Sequence, residues 1–324
     1  MDPTRLAKVM TIDDCALEIC LGEIDRMIKD KNHGLFGPDS AFWYVNRESI
    51  CFLGAGCAML LQLAHPYVSQ AIADHSSVRQ DPLGRYYRTM PPVFAMVFGT
   101  RDQAFSEARK IHHIHTQIAG SLPERVGIYP VGWPYQANEA RASLWVHATL
   151  WYTARKCYEL VLPSLSLEAA EQYNSDCQRF AGLFGIPRAL HPTDASAFQA
   201  YFDDMLASDF LAVSPAGRET RGYFFDRKQH AIARFMPEWY VAITASLLPE
   251  RFRNAFGLVF GDRERAMAQR VIDRIRVIYP RLPHRIRFVG PYQEAISRVA
   301  GRTRPSPMTR AVNRIWLGRS EIGA

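Results

Sequence analysis

Cysteine is sparse and unpatterned in this chain of 324 residues. Its six cysteines form neither a CxxC pair nor a dense framework, so they are predicted to be reduced thiols of an intracellular protein. The N-terminus lacks the basic-then-apolar pattern of a signal peptide. The longest apolar stretch, residues 50–64, has 15 residues, whereas a bilayer span needs about 20. We therefore expect a cytoplasmic protein without a transmembrane segment.

Extremes of composition are missing as well. With 48% hydrophobic and 22% charged residues, the chain is an ordinary globular protein, which excludes the disordered, coiled-coil and collagen-like classes. Alternating β patterns are scarce, and neither an internal repeat nor a low-complexity linker is evident. Eighteen Phe, 14 Tyr and 6 Trp are enough for a wide core or an apolar pocket.

The net charge of +7 is concentrated at the C-terminal end. Residues 281–324 contain nine arginines against Glu294 and Glu321, and the rest of the chain has 30 basic and 30 acidic residues. A basic segment of this kind suits nucleic acid or anionic lipid. The simpler interpretation is a partly helical, solvated tail folded over the body, and we expect no nucleic-acid partner.

Helical periodicity dominates the remaining pattern. Residues 12–300 are therefore predicted to form one all-α domain, between an N-terminal tail (1–11) and a basic C-terminal tail (301–324). The predicted helices are 13–31, 46–64, 82–98, 102–120, 139–162, 167–184, 194–207, 237–248 and 262–279.

The stretch Ser49–Met59 resembles a strand that enters a GxGxx turn, with Asp74 twenty residues after Gly54. That is the outline of a dinucleotide-binding site. Such a site needs a third small residue where this chain has Met59, however, and no further βαβ unit follows. The alternative is a helix face of small residues, Gly54, Ala55, Gly56 and Ala58, which admits a close helix or a flat cofactor.

His112, His113 and His115 lie together in one predicted helix. Two of them, His112 and His115, share a face at i, i+3 and could bind zinc or non-haem iron with a third ligand such as His65, His75 or His147. The alternative is that these histidines are solvated or satisfied by hydrogen bonds.

A third candidate is the start of the predicted helix 82–98. Asp81 is a suitable N-cap and Pro82 a suitable first residue, so Arg85 and Thr89 project from one face. The alternative is a capped helix with a surface salt bridge. A fourth candidate is His147, which is surrounded by apolar residues; such a histidine is commonly a core residue satisfied by a carbonyl.

Together and in this order, these stretches resemble the haem-dependent oxygenase family of the latex-clearing rubber oxygenases and the fungal prenyl-chain oxygenase of mycophenolic acid biosynthesis. The similarity is to its small bacterial members, formerly a domain of unknown function, and covers about residues 42–290. The matching segments are Asn46–Glu48, Leu60–Pro66, Ala73–Ser76, Asp81–Thr89, Val97–Gly99, His115–Gly120, Trp145–Leu150, Leu183–Pro187 and Leu248–Pro249.

The resemblance implies an all-helical fold that encloses one haem b. It makes His115, five residues before the glycine that ends its helix, the proximal iron ligand, with His112 and His113 as neighbours. It also places Arg85 and Thr89 on the face where the oxidant binds. A bound oxidant needs a donor pointed at its distal oxygen, which these two side chains can supply.

Two departures from the family bear on the chemistry. Arg88 stands where the rubber oxygenases have a lysine that can coordinate iron, and a guanidinium is a poor iron ligand. The family's catalytic glutamate is also missing, since no Glu occurs between Glu48 and Glu107. Asp74 and Asp81 are the carboxylates nearest its place. Cleavage of polyisoprene is therefore not inferred for this chain.

The cofactor would need further contacts. Propionates require arginine or backbone N–H partners, for which Arg47 is a candidate. The small side chains around Gly54 suit a flat macrocycle, and His147 is either a hydrogen-bond donor beside the haem or a packed core residue.

The sequence thus predicts a haem b oxidoreductase that uses dioxygen or peroxide on an apolar, unsaturated or isoprenoid-like small molecule. The alternatives are a zinc or non-haem-iron enzyme built on His112 and His115, and a non-catalytic helical haem-binding protein. A further alternative is a scaffold whose basic tail binds nucleic acid.

Overall fold

Helices account for nearly all regular structure in the computed structural model, which describes residues 10–77, 81–226, 234 and 236–323. These residues form sixteen α-helices and one two-stranded antiparallel sheet, so the predicted all-α single domain is confirmed. The helices are α1 Asp14–Asp25, α2 Ala41–Asn46, α3 Ala55–Leu63, α4 Pro66–His75, α5 Pro82–Phe98, α6 Arg101–Thr116, α7 Ala140–Val161, α8 Leu167–Gly182, α9 Ala195–Ala207, α10 Pro215–Phe225, α11 Glu238–Leu247, α12 Glu250–Ala255, α13 Asp262–Ile278, α14 His284–Arg287, α15 Gly290–Val299 and α16 Pro307–Leu317.

Side-chain caps fix where many of these helices begin. Asp13 accepts a hydrogen bond from the Ala16 amide at the start of α1, and Ser166 does the same for α8. Thr100 and Gln103 form a reciprocal capping box at the start of α6. Such caps satisfy amides that have no partner inside the helix and contribute about 1 kcal/mol each. The predicted starts of α1, α5 and α8 are therefore close to the observed ones.

The predicted helix 46–64 is divided in two. Residues Ser49–Gly54 form a 3₁₀-helix, and α3 follows directly. The outline of a dinucleotide site is therefore wrong, because no strand precedes the GxG sequence. Glycine is a poor helix former, and here Gly54 and Gly56 admit neighbouring helices instead.

Helix α6 ends earlier than predicted. Its last residue is Thr116, and strand β1 (Ala119–Ser121) pairs with strand β2 (Pro134–Gln136). Gly120 is therefore in a strand, opposite Tyr135, and does not end the helix. A side chain at Gly120 would collide with the Tyr135 ring, which explains why a glycine is required there.

Helix α7 is the central element of the core. It packs against the 3₁₀-helix, α2, α3, α8 and α13. The fully buried Trp145 donates to the Leu61 carbonyl at 2.9 Å and stacks on Phe202. Burial of large apolar side chains on two sides of one long helix stabilises the fold.

The C-terminal residues are packed on the body. Arg287 donates from Nη2 and Nε, on one edge of its guanidinium, to the two oxygens of buried Glu48, at 2.7 and 2.8 Å. Residues 301–323, expected to be a basic tail, contain α16, and Leu317 and Ile322 enter the main core. Helix α16 packs on α5, and the Tyr86 hydroxyl donates to the Trp316 carbonyl.

In the part of the chain that the structure describes, no single helix is long and apolar enough to cross a membrane. Residues 49–63 and 66–75 meet the length and composition test only as a pair, bent by 98°.

Candidate active site

Helices α5 and α6 form a hairpin joined by Gly99 and Thr100, and they pack against each other. Arg85 lies 14 residues before Gly99, and His115 lies 15 residues after Thr100. At 1.5 Å of rise per residue, both side chains are about 21–22 Å from the turn. The hairpin therefore brings the two main candidates, 30 positions apart in sequence, to the same end.

The predicted start of α5 is confirmed. Asp81 accepts from the Gly84 amide at 2.8 Å, and Pro82 is the first helical residue. The other Asp81 oxygen binds Arg88 at 3.2 Å, and Arg88 also donates to the Ser77 hydroxyl at 2.6 Å. Arg88 is thus engaged by the residues that begin its own helix, at an exposed position.

Arg85 and Thr89 differ in exposure. Arg85 is half-buried, whereas Thr89 is exposed. Burial lowers the pKa of the Arg85 guanidinium, and the like charge of Arg88 lowers it further. An arginine nevertheless remains protonated at neutral pH. Arg85 therefore holds a partly desolvated positive charge at the open end of the hairpin, one turn from the Thr89 hydroxyl.

His115 is a neutral imidazole at physiological pH. Burial, together with a smaller effect of His112 and against a hydrogen bond with Asn138, lowers its pKa to about 4. It lies in the last turn of α6, which fixes its backbone. A neutral ring nitrogen on a rigid helix is the form in which histidine binds iron.

The two neighbouring histidines have other surroundings. His112 is buried, its Nε2 lies 3.0 Å from an Asp14 carboxylate oxygen, and its carbonyl is 3.5 Å from the Asn138 amide nitrogen. His113 is exposed. Among residues 10–77, 81–226, 234 and 236–323, no three His, Cys, Asp or Glu side chains converge as a metal-binding group.

His147 is buried, but not as a carbonyl-bonded core histidine. Its Nδ1 has no hydrogen-bond partner within the described structure, and its ring contacts Phe184 at 4.2 Å. Burial lowers its pKa to about 3, and His191 and His115 contribute smaller parts of that shift. The charge effect of His115 indicates that His147 and His115 lie near each other.

His191 extends this cluster, and the sequence did not single it out. Its ring stacks on Trp151, which in turn neighbours His147. Neither His191 nitrogen makes a well-formed hydrogen bond in the described residues, although the Ile186 backbone is close enough to raise its pKa. Burial has the larger effect and lowers that pKa to about 4. His191 follows a proline-containing turn and lies outside the predicted helices, so helical periodicity gave no reason to select it.

Of the two carboxylates near the place of the family glutamate, Asp81 is the helix cap. Asp74 accepts from the Tyr135 hydroxyl at 2.6 Å and from Gln70 at 2.8 Å. The His75 Nε2 lies 3.2 Å from the same hydroxyl. Burial and the Asp74 carboxylate raise the pKa of Tyr135, so this phenol keeps its proton. Asp74 is thus the carboxylate with a proton-carrying neighbour.

Arg47 is enclosed by aromatic rings. Its guanidinium lies 4.4 Å from the Tyr44 ring centre and 4.5 Å from that of Phe288, and it donates to the Tyr292 hydroxyl at 3.3 Å. These contacts stabilise the cation. Its role as a propionate partner stays a prediction.

Gly54 is used for helix packing. A Cβ there would lie 2.9 Å from the Thr153 Cβ and 3.0 Å from the Cys157 sulfur, both on α7. Gly56 approaches Thr244 of α11 in the same way. Of the two alternatives for this face of small residues, close helix packing is the one observed, and the cofactor contact at Gly54 stays a prediction.

The donor set fits a haem. The proximal ligand has to be a neutral imidazole held by its helix, which describes His115. A buried nitrogen without a partner, such as the Nδ1 of His147, is costly unless a further group satisfies it. The half-buried cation of Arg85 lies at the same end of the hairpin.

Comparison with known proteins identifies the domain. The family model described as "ER-bound oxygenase mpaB/B'/Rubber oxygenase, catalytic domain" matches residues 42–277, which is more than two thirds of the chain. No curated protein and no solved structure matches at a significant level. The matched range contains α5, α6, α7 and every candidate residue described above.

Proposed function

Because the chain belongs to the family of mpaB and rubber-oxygenase catalytic domains, we propose that it is a haem b-dependent oxygenase. Its substrate is proposed to be an apolar small molecule, unsaturated or isoprenoid-like, with dioxygen or peroxide as the oxidant. The α5–α6 hairpin is the observation that carries the proposal, since it brings a neutral imidazole and a half-buried guanidinium to one end.

His115 is the proposed proximal ligand. Its lowered pKa keeps the ring nitrogen unprotonated at pH 7, and its place in the last turn of α6 limits its movement. Asn138, next to the ring, helps to orient it. His147 supplies a buried imidazole nearby whose Nδ1 is available for a hydrogen bond.

Bound haem supplies the redox chemistry with dioxygen that amino-acid side chains lack. The contribution of Arg85 is electrostatic, because a positive charge that is already in place and partly desolvated stabilises negative charge as it develops on an oxygen atom. Thr89, one turn further on, contributes a hydroxyl that can donate a hydrogen bond. Arg88 adds positive charge to this helix and donates hydrogen bonds to both Asp81 and Ser77.

Asp74 is the proposed acid–base residue in place of the missing glutamate. Its carboxylate accepts a 2.6 Å hydrogen bond from the Tyr135 hydroxyl, and His75 is next to the same hydroxyl. In such a chain the phenol can pass its proton to Asp74 as it accepts one from the solvent-exposed His75, so that a proton moves between His75 and the carboxylate. Asp81 is less suited, because hydrogen bonds from the Gly84 amide and from Arg88 lower its pKa and so hold it as the anion.

We also propose that the protein acts in the cytoplasm. Each of its six cysteines is free, and burial raises the pKa of the Cys20 thiol to about 11, so this thiol is unreactive at neutral pH. A reducing compartment is where such a set of thiols persists.

The test combines haem loading with oxygen consumption. Full-length protein is titrated with haemin, followed by the Soret band and the pyridine haemochrome spectrum, and oxygen uptake is measured with squalene. Squalane, the saturated counterpart, is the matched control. We expect one haem per chain and uptake with squalene only.

Three results would overturn the proposal. Bound haem without oxygen uptake on any unsaturated probe would indicate a non-catalytic haem-binding protein. Bound zinc or iron without haem would favour the enzyme built on His112 and His115. Equal uptake with squalane would exclude the double bond as the site of attack.

A further inference from the structure

Several arginines at the C-terminal end have no acidic partner in the part of the chain that the structure describes. Arg287 and Arg298 are used internally, on Glu48 and on the carbonyls of Asn32 and Phe98. Four more form no ion pair with any described residue, and all four are exposed: Arg285, Arg302, Arg304 and Arg314. Glu294 is buried, where it accepts from Asn313 and the Ile322 amide. The surface charge here is therefore strongly positive.

Helix α16 has large apolar side chains on its outer, solvent-facing side. Thr309, Asn313 and Leu317 face the body and are buried. Met308 and Ile315, seven residues apart and therefore on one face, are 52% and 69% exposed. Large exposed apolar side chains bordered by arginines are the pattern of helices that lie in a membrane interface.

An open groove of about 700 Å³ adjoins this face. Phe288, Tyr292 and Ile296 form its apolar floor, and Arg285 and Arg302 are on its wall. The Arg285 guanidinium lies 3.6 Å from the Met308 sulfur, which joins the groove to the outer face of α16. Acyl-chain carbon and phosphate oxygen can therefore be bound side by side.

We propose that this docking face binds an anionic lipid surface; it consists of Arg285, Arg302, Arg304, Arg314, Met308 and Ile315. The arginines bind lipid phosphates, while Met308 and Ile315 enter the acyl boundary. Nucleic acid would satisfy the same arginines, but its phosphate backbone gains nothing from two exposed aliphatic side chains. The face lies outside residues 42–277, so it is an addition to the family's catalytic domain.

The docking face is mechanically joined to the start of α5. The Tyr86 and Tyr87 hydroxyls donate to the carbonyls of Trp316 and Ile315 at 3.4 Å, and these tyrosines directly follow Arg85. Lipid docking thus holds the Arg85 end of α5 near the membrane, where an apolar substrate is dissolved. This consequence rests on the proposed function, whereas docking itself does not.

The test measures binding of the full chain to vesicles. Co-sedimentation is carried out with phosphatidylcholine vesicles and with vesicles that contain phosphatidylglycerol, each at low and high salt. We expect binding to the anionic vesicles only, weakened by salt because the Debye length shortens. Duplex DNA and single-stranded RNA are assayed alongside.

Two triple variants with equal loss of charge separate the docking face from net charge. Arg285→Ser, Arg302→Ser and Arg314→Ser together are expected to weaken binding about 100-fold, as three charges near an anionic surface would. The control removes three exposed arginines of α13, by Arg263→Ser, Arg270→Ser and Arg274→Ser. It is expected to bind nearly as well as the wild type. Unchanged thermal unfolding shows that each variant folds.

The double variant Met308→Ser and Ile315→Ser tests the apolar half of the face, and we expect it to lose the binding that persists at high salt. Equal loss in both triple variants would overturn the docking face in favour of non-specific charge. Binding to nucleic acid but not to vesicles, or unchanged binding of the double variant, would also overturn it. None of these readouts depends on haem or turnover, so failure here is distinguishable from failure of the proposed oxygenase.

Discussion

The catalytic-domain region, residues 42–277, and the C-terminal region, residues 278–323, differ in charge but not in packing. The family model covers the first, while the second has nearly all the unbalanced arginines. Even so, Val289, Leu317 and Ile322 of the second region are buried in the main core. Charge segregation along a sequence therefore does not identify a detachable tail, because apolar residues between the arginines decide what is buried.

The two regions also use their arginines differently. In the catalytic-domain region, Arg85 is half-buried beside the candidate site, where desolvation strengthens its field. In the C-terminal region, Arg287 secures the segment to Glu48, and Arg302 and Arg314 remain exposed. The variants below separate these roles.

The largest effect is expected from His115→Ala, which removes the proposed iron ligand from the catalytic-domain region. Haem loading should be abolished, because the neighbouring histidines of α6 do not replace this ligand: His113 is exposed, and His112 lies against Asp14. The Soret band after haemin titration and desalting measures this loss. The exposed neighbour supplies the control, His113→Ala, which should load fully. Full loading of His115→Ala would exclude the assignment.

Arg85→Ala should lower turnover by about 10²–10³ while haem loading stays near that of the wild type, since one preorganised donor is removed from the oxidant face. Thr89→Ala should have a smaller effect, because its hydroxyl is exposed. Oxygen uptake at saturating substrate and the haemochrome spectrum are the paired measurements. If Arg85→Ala loses haem as His115→Ala does, the residue is structural and its proposed role is wrong.

Arg287→Met tests whether the C-terminal region is part of the folded unit. Glu48 is 1% exposed, so its buried charge would be left with only Arg47, at 3.7 Å, and the Tyr279 hydroxyl. The free energy of unfolding should fall by about 3 kcal/mol, measured by urea denaturation. The control is Arg263→Met, whose pair with Glu238 is exposed on both sides and should contribute less than about 1 kcal/mol. Equal effects would mean that residues 278–323 are only loosely attached.

The smallest effect is that of a single histidine over one pH unit, and it belongs to the catalytic-domain region because His115, His147 and His191 all lie there. Burial lowers their pKa values to about 4, 3 and 4, so each ring is neutral in the folded chain. Below about pH 6.5 the unfolded chain binds protons that the folded chain does not, and the free energy of unfolding must fall as pH falls. Each such histidine contributes up to about 1.4 kcal/mol per pH unit between pH 6.5 and 4.

His191→Gln should remove one of these contributions. Urea denaturation at pH 7, 6 and 5 would then give a shallower decline for the variant than for the wild type. Parallel declines would contradict the buried, neutral state of His191.

Local features of the site were predictable because they depend on residues a few positions apart. The Asp81 cap and Pro82 start α5 at the predicted residue, and i, i+4 spacing fixes Arg85 and Thr89 on one face. The periodicity of 139–162 and 167–184 gave α7 and α8 within two residues. The end of α6 was missed, since Tyr135 requires Gly120 in a strand and lies 15 positions away.

By itself, the sequence determined the all-α class, the α5 face with Arg85 and Thr89, and the position of His115, because helix periodicity and capping are short-range. It also determined the excess of positive charge, which is a matter of counting. Only the tertiary structure decided that Arg287 neutralises Glu48, 239 positions away, that His191 joins His147, and that α16 covers α5. These contacts depend on how the helices pack, and packing between distant segments leaves no periodic signal in either one.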